Sequence, residues 1–188
     1  MILLKELIAT LRMEIQRCFR HRMVELKARV DEHNFLRKKL VALGAEYIGT
    51  FQQSDQYFMV PEGRLKLRTV EGNNKAELIY YERENIAGPK SDEAFILRVH
   101  KLDDLKNALQ KILAPLIVIE KSREIYLYKE IQIHFDTVKK LGKFIEFEKQ
   151  TSDENIRKDR RILEALMQKL EISLNNLETL SYSDLTEN

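Results

Sequence analysis

The segment VELKARV, residues 24–30, alternates strictly between apolar and charged side chains. An alternation with a period of two predicts a β-strand that has one apolar and one charged face. The segment RLKLRTV, residues 64–70, repeats the pattern. Further strands are predicted at residues 45–51, 55–60, 76–83, 94–99, 116–127, 130–138 and 143–149. Turn residues such as those of Pro61-Glu62-Gly63 separate these runs, which is typical of antiparallel strands.

Three stretches show helical spacing of apolar residues instead. The first follows Asp31, a residue suited to capping a helix, and is stopped by Gly44. The second covers residues 102–113, and the third covers residues 153–170 with Ser152 or Asp153 as the cap. Many strands with few helices indicate an α+β fold.

Composition narrows the class of protein. The length of 188 residues suits one domain, and the net charge of +2 argues against a polycation that binds nucleic acid. Cys18 is the single cysteine, which excludes an internal disulfide and a cysteine-based zinc site. No run approaches the roughly 18 apolar residues of a membrane span. We therefore expect a cytoplasmic protein with no membrane or nucleic-acid partner. Residues 1–22 are predicted to form an extension, either a short helix or a disordered tail, before a domain at residues 23–188.

The charged faces of the strands also sort by sign. Side chains alternate across a strand, so residue parity assigns each charge to a face. The middle strands carry mostly cations, and the first and last strands carry carboxylates. Exposure to solvent would explain the charged face of each strand taken alone. A polyanion and a metal ion would explain the sorting as well.

Several motifs together make the chain similar to a known family. Residues 23–27 read MVELK, and QSDQYF (53–58), GRLKLR (63–68), LIYYER (78–83), IEKSREIYL (119–127), IHFDTV (133–138), LGKFIEFE (141–148) and SYSDL (181–185) follow in order. The set resembles the CYTH superfamily, also called the triphosphate tunnel metalloenzymes, and its class IV adenylyl cyclase-like branch in particular. The family signature E-x-E-x-K is matched by Glu25 and Lys27, whereas Met23 stands where the first Glu is expected.

The resemblance implies a fold and a site. The fold is an antiparallel, eight-stranded, closed or nearly closed β-barrel with flanking helices, in which the charged face lines a tunnel. The implied ligands of a substrate triphosphate are Lys27, Arg29, Lys66, Arg68, Arg83, Lys121 and Arg123. The implied ligands of Mg²⁺ or Mn²⁺ are Glu25, Asp136, Glu146 and Glu148, and the first three of these are also the implied catalytic residues.

Three functions stay open on this basis. The first is an adenylyl cyclase that converts ATP to cyclic AMP and pyrophosphate. The second is a triphosphatase acting on inorganic, thiamine or nucleoside triphosphate. The third is a binder of polyphosphate or nucleotide without catalysis, which the Met23 substitution keeps open. The implied partner in each case is a small-molecule triphosphate such as ATP, and a homodimer is a further option.

Overall fold

Eight antiparallel strands close into a barrel in the computed structural model, which describes residues 18–73, 76–84, 86–99 and 102–186. The strands are β1 (Cys18–Val30), β2 (Glu46–Phe58), β3 (Arg64–Val70), β4 (Ala76–Arg83), β5 (Lys90–Val99), β6 (Pro115–Tyr128), β7 (Ile131–Val138) and β8 (Gly142–Gln150). Within the described ranges the helices are α1 (His33–Ala42), α2 (Leu102–Ile112), α3 (Ile156–Lys169) and α4 (Tyr182–Thr186), with a short 3₁₀ turn at Leu174–Asn176.

Strand β1 closes the barrel, because it pairs with β5 along one edge and with β8 along the other. The strand order around the barrel is β1-β5-β4-β3-β2-β6-β7-β8. This arrangement confirms the α+β class and the eight-stranded antiparallel barrel with flanking helices.

The barrel has an apolar exterior beneath its helices and a charged interior. On β1, Val24 and Leu26 are fully buried beneath α1 and α3 as part of one large apolar cluster that also includes strands β6, β7 and β8. A second cluster on the outside joins Leu67 of β3 to Leu109 of α2. Because side chains alternate across a strand, the residues between these apolar ones, such as Glu25 on β1, point into the barrel. The charged face is therefore an internal lining and not a solvated surface.

Several element boundaries differ from those predicted. The two short strands predicted at residues 45–51 and 55–60 are one continuous strand, β2, and β5 begins at Lys90 rather than at Ala94. Helix α1 has Glu32 at its N-cap and α3 has Asn155, and neither side chain makes a capping hydrogen bond. The predicted caps Asp31, Ser152 and Asp153 are therefore wrong.

The predicted N-terminal extension falls only partly within the described residues. Strand β1 begins at Cys18, and residues 18–22 pair with β5, so these five residues belong to the barrel. Residues 1–17, the rest of the predicted extension, lie outside the described part of the chain. None of the helices that the structure describes is long and apolar enough to cross a membrane.

Candidate functional site

The interior of the barrel encloses a cavity of about 120 Å³. Its charged lining residues are Glu25, Lys27, Lys66, Arg68, Arg83, Asp92, Lys121, Arg123, Glu146 and Glu148. Six of these carry a basic group and four a carboxylate. The remaining lining residues include Met23 and three tyrosines, Tyr57, Tyr81 and Tyr182.

One buried carboxylate organises the cations of β3 and β6. Asp55 of β2 is only 1% exposed, and Arg68 donates to it through Nε at 2.7 Å and Nη2 at 2.8 Å. The ammonium groups of Lys66 and Lys121 lie 3.3 and 3.8 Å from the same carboxylate. Burial would raise the pKa of Asp55, but these cations outweigh it and lower the pKa well below its usual value.

A second chain of ion pairs runs along β6, β7 and β8. Arg123 donates from Nε to Oδ1 of Asp136 at 2.7 Å, and from Nη2 to Oδ2 of Asp136 and Oε2 of Glu146, both at 2.5 Å. Lys27 of β1 lies 3.0 Å from Oε1 of Glu146. The bidentate pairing with Asp136 fixes the plane of the Arg123 guanidinium.

Lys121 stands between these two groups. It is buried, and its ammonium group lies 3.6 Å from Asp136 as well as 3.8 Å from Asp55. Burial and the neighbouring Arg123 lower the pKa of Lys121 to about 7, although Asp136 and Asp55 act in the opposite direction. A bound anion would favour the charged form of this side chain.

Glu25 and the segment before α4 hold the cations at the other end. Arg83 donates to Oε1 of Glu25 at 2.6 Å and to the backbone oxygen of Thr179 at 3.3 Å. Lys90 is fully buried and donates to the backbone oxygens of Glu178 and Thr179. These contacts fasten the C-terminal segment across the barrel.

Tyr182, at the start of α4, then enters the interior. Its hydroxyl donates to Oδ2 of Asp136 at 2.9 Å, and its ring packs against Phe144. The ammonium group of Lys27 lies 3.9 Å from the centre of the ring. Tyr182 therefore forms one wall of the cavity and orients two of the predicted site residues.

Carboxylates of β1, β5 and β8 line the cavity, and His134 of β7 lies beside those of β8. His134 lies 3.5 Å from Oε1 of Glu148 through Nδ1. Burial opposes protonation of His134, but Glu148 and Glu146 outweigh burial and raise its pKa. Among the atoms that the structure describes, Nδ1 of His134 and Oδ1 of Asp92 are buried without a hydrogen-bond partner. His134, Glu146 and Glu148 have ligand atoms that all lie within 4.8 Å of one another. Carboxylate oxygens at this spacing suit a divalent cation such as Mg²⁺, which prefers oxygen ligands.

Most of the predicted site residues meet in this cavity, but two lie elsewhere. Arg29 has a side chain that is 48% exposed and donates to the backbone oxygen of Leu141, beside Glu178. Asp136 lies behind the cavity with both oxygens accepting hydrogen bonds from Arg123 and one also from Tyr182. Its geometry favours positioning of Arg123 over binding of a metal.

Sequence reasoning missed Asp55, Lys90 and Asp92 as site residues. Asp55 shares its parity with Gln53 and Tyr57, but the predicted break in β2 separated it from the rest of its strand. Lys90 and Asp92 lie in the part of β5 that precedes the strand predicted at residues 94–99, so the prediction placed them on no strand. Continuing the alternation back from Ala94 would have placed both inside the barrel.

A larger cavity of about 520 Å³ adjoins the interior. Tyr57 and Arg83 line both cavities, so the two are adjacent. The outer one is bordered by Met59, Val60 and Leu116 and by the Arg64–Asp184 ion pair, whose Nη2 and Oδ2 atoms are 2.6 Å apart. It therefore offers both apolar and polar surface at the mouth of the tunnel.

Comparison with solved structures agrees with this architecture. A protein from Pyrococcus horikoshii superimposes with a TM-score of 0.78 at 23% identity, over 87% of this chain and 98% of that one. A Hippeastrum protein described as a "Putative adenylyl cyclase" with a dominant triphosphatase activity superimposes with a TM-score of 0.60 at 16% identity, over 87% and 93%. At these identities the likeness concerns the fold.

Comparison with known sequences identifies the family as well as the fold. A protein from Methanocaldococcus jannaschii named "Putative adenylate cyclase" is 30% identical in an alignment of 179 positions, which covers 86% of this chain and 97% of the relative. Residues 21–182 match the model of the CYTH domain, a span that begins in β1 and ends at Tyr182. The chain therefore belongs to the CYTH domain family.

Proposed function

We propose that this protein is a metal-dependent adenylyl cyclase that binds the triphosphate of ATP in the tunnel and forms cyclic AMP and pyrophosphate. The observation that carries the proposal is the set of six basic side chains around one enclosed cavity. Lys27, Lys121 and Arg123 are each less than 5% exposed. Buried cations are expensive unless they are paired, and a polyanion in the cavity would complete their pairing.

The geometry supports a role in positioning. Transfer at phosphorus depends mainly on placement and on stabilisation of charge, with little covalent work for the protein. Asp55 and Asp136 fix the guanidinium planes of Arg68 and Arg123 before any ligand arrives. Such preorganised donors cost little reorganisation when charge develops on phosphate oxygens. We assign the phosphates to Lys27, Lys66, Arg68, Arg83, Lys121 and Arg123.

Glu25, Glu146 and Glu148 are the residues that we propose as holders of Mg²⁺ or Mn²⁺, since they line the cavity. A bound divalent ion would supply charge stabilisation to the transferring phosphoryl group. Glu146 also accepts from Arg123 and lies beside Lys27, so it couples the two halves of the site. Asp136 acts through Arg123 in this proposal, and Arg29 has no part in it.

The sizes of the two cavities suggest where the nucleoside lies. Pockets that bury whole drug-sized ligands measure roughly 300–1,000 Å³. The interior cavity is smaller than this at about 120 Å³, whereas the mouth falls within the range at about 520 Å³. We therefore propose that the phosphate chain enters the tunnel and that the ribose and base stay in the mouth.

The same observation favours a triphosphatase as the second candidate. A tunnel that takes only the phosphate chain makes its charged contacts with tripolyphosphate as well as with ATP. The M. jannaschii relative supports the cyclase by its name, and the Hippeastrum protein gives the triphosphatase a precedent on the same fold. The products decide between the two candidates.

The test is product analysis after incubation with ATP and, separately, with tripolyphosphate, each with Mg²⁺ or Mn²⁺. Cyclic AMP and pyrophosphate from ATP are expected. Release of inorganic phosphate from either substrate would assign the triphosphatase instead. If no product forms while tripolyphosphate still raises the melting temperature, the protein is a binder and the enzymatic proposal fails.

Matched variants tie any activity to the tunnel. Lys121→Met removes an interior cation, and Lys139→Met removes an exposed one that pairs with Glu120 on the surface. We expect a fall of about 100-fold or more for the first, the scale on which a single preorganised donor acts, and none for the second. Equal activity in both variants would show that the interior cations of the barrel do not contribute to catalysis.

A further inference from the structure

Asp92 of β5 occupies a position inside the barrel that the family signature did not indicate. In the register of β1 and β5 it lies directly opposite Met23, and in the register of β4 and β5 it lies beside Arg83. Residues directly opposite each other on antiparallel strands share a face, with their Cβ atoms about 5 Å apart. Asp92 thus projects to the same place as the side chain at position 23.

The carboxylate of Asp92 is incompletely satisfied. Its Oδ1 atom is buried without a hydrogen-bond partner among the described residues. Glu25 and Glu148 line the same cavity, and they face each other across β1 and β8. Burial and the charges of these two acids raise the pKa of Asp92 to about 8. Arg83, the adjacent cation, already donates to Glu25. Arg83 and Lys66 act on Asp92 only from a distance, and no ion pair of Asp92 is formed within the described residues.

A second unpaired atom lies beside Glu148, one of these acids. His134 is 2% exposed, and its Nδ1 atom has no hydrogen-bond partner in the described part of the chain although it lies 3.5 Å from Glu148. A buried imidazole nitrogen and a buried carboxylate oxygen that both lack partners are unusual in a folded protein. A divalent cation between the carboxylates would account for the unpaired oxygen of Asp92 and offset the repulsion among the acids.

We propose that Asp92 is a ligand of the divalent metal in addition to Glu25, Glu146 and Glu148, and that it supplies from β5 the carboxylate that Met23 does not supply from β1. This inference rests on the proposed function, because it concerns the same metal. Compared with the family signature, one oxygen ligand would then come from β5 instead of β1, at the same level of the barrel. The metal site then has as many carboxylate ligands as it would have with Glu at position 23.

The experiment measures Mn²⁺ binding by electron paramagnetic resonance, which follows the free ion and needs no turnover. The wild type is compared with Asp92→Asn, with Glu93→Gln, and with Asp92→Asn combined with Met23→Glu, each with and without tripolyphosphate. Glu93 is the matched control, because it neighbours Asp92 but faces outward, where it pairs with Arg20 and Arg22.

We expect Asp92→Asn to weaken Mn²⁺ binding by at least about ten-fold, the lower end of what the loss of a supporting group costs. Glu93→Gln should bind as the wild type does, and the double variant should regain most of the lost affinity. Wild-type affinity in Asp92→Asn would overturn the inference and leave the proposed function standing. Failure of the wild type to bind Mn²⁺ would overturn both.

Circular dichroism checks that each variant is folded. If Asp92→Asn did not fold, the single variant Met23→Glu decides the question. An added carboxylate opposite Asp92 should then tighten Mn²⁺ binding, since it would approach the same ion. Unchanged binding in that variant would contradict the inference, because position 23 would lie outside the reach of the metal.

Discussion

Asp55 shows how much of the site depends on a single side chain. Three basic groups, those of Lys66, Arg68 and Lys121, lie within 4 Å of its carboxylate, and no solvent reaches it to any useful extent. The cluster carries more positive than negative charge. Asp55 therefore holds the cations in place while leaving a surplus that an anionic ligand can neutralise. Its position was open to prediction from parity, and the turn at residues 61–63 indicated that β3 with Lys66 and Arg68 lies beside β2. The adjacency of β6, which carries Lys121, could not be predicted from any local pattern.

Replacement of Asp55 by Asn is expected to lower the free energy of unfolding by about 3 kcal/mol at neutral pH, since it leaves buried cations without their counter-charge. Urea denaturation monitored by circular dichroism measures the change. Because the pKa of Asp55 is lowered well below 3.8, its contribution is present above that pH and is lost as the pH falls through the lowered pKa.

The control for this change is Asp104→Asn on the exposed side of α2, which should stay within about 0.5 kcal/mol of the wild type. A similar small effect at Asp55 would mean that the three cations are balanced elsewhere, and it would weaken the assignment of a charged ligand to the tunnel.

At the scale of elements, two turns of similar backbone shape differ in what surrounds them. Gly63, before β3, has φ of +67°, and Gly72, after β3, has φ of +74°. A Cβ atom on Gly63 would lie 2.6 Å from the hydroxyl of Tyr80, whereas one on Gly72 would meet nothing within 4 Å among the described atoms. Both turns require glycine for their backbone, but only the first requires it for space.

Gly72→Ala should therefore cost about 1 kcal/mol of stability from backbone strain, and Gly63→Ala should cost more because Tyr80 must also move. Equilibrium denaturation of both variants in urea gives the comparison directly. Equal losses of stability at the two positions would show that Tyr80 can move aside without any cost in free energy.

The elements were largely predictable, and their errors have physical causes. The strict alternation at 24–30 and 64–70 located β3 and the second half of β1, because one face of each strand is apolar and the other charged, but it missed residues 18–23 of β1. In β2, polar residues such as Gln52 and Ser54 blurred the alternation, so one strand was read as two. The helix caps failed because Glu32 and Asn155 begin their helices without a side-chain hydrogen bond. Closure of the barrel came from the resemblance, since parity describes one strand at a time.

At the scale of the whole molecule, the barrel has a charged interior and a largely apolar exterior, and helices cover part of that exterior. A ligand that neutralises the interior should stabilise the entire fold, because it binds the closed barrel and not the unfolded chain. Salt should affect this binding less than it affects surface pairs, since the cations are shielded from solvent.

Tripolyphosphate at about 100 times its dissociation constant is expected to add roughly 2.7 kcal/mol of stability. For a chain of this length that corresponds to a rise in melting temperature of roughly 5–10 °C. Differential scanning calorimetry measures the shift, with sulfate at the same ionic strength as the control. An equal shift with sulfate would show that the tunnel does not distinguish a triphosphate from a simple anion.

The pairing of β1 with β8 also governs the order in which the chain can fold. Val30 pairs with Lys143 and Met23 with Gln150, so the first strand closes against the last. During synthesis, β1 waits for almost the whole domain to emerge before its second edge is filled. Local hairpins such as β3–β4 and β6–β7–β8 can form earlier, because their partners are near in sequence. A topology that leaves closure to such a distant pair folds slowly, and the newly made chain carries an open strand edge until its last strand is in place.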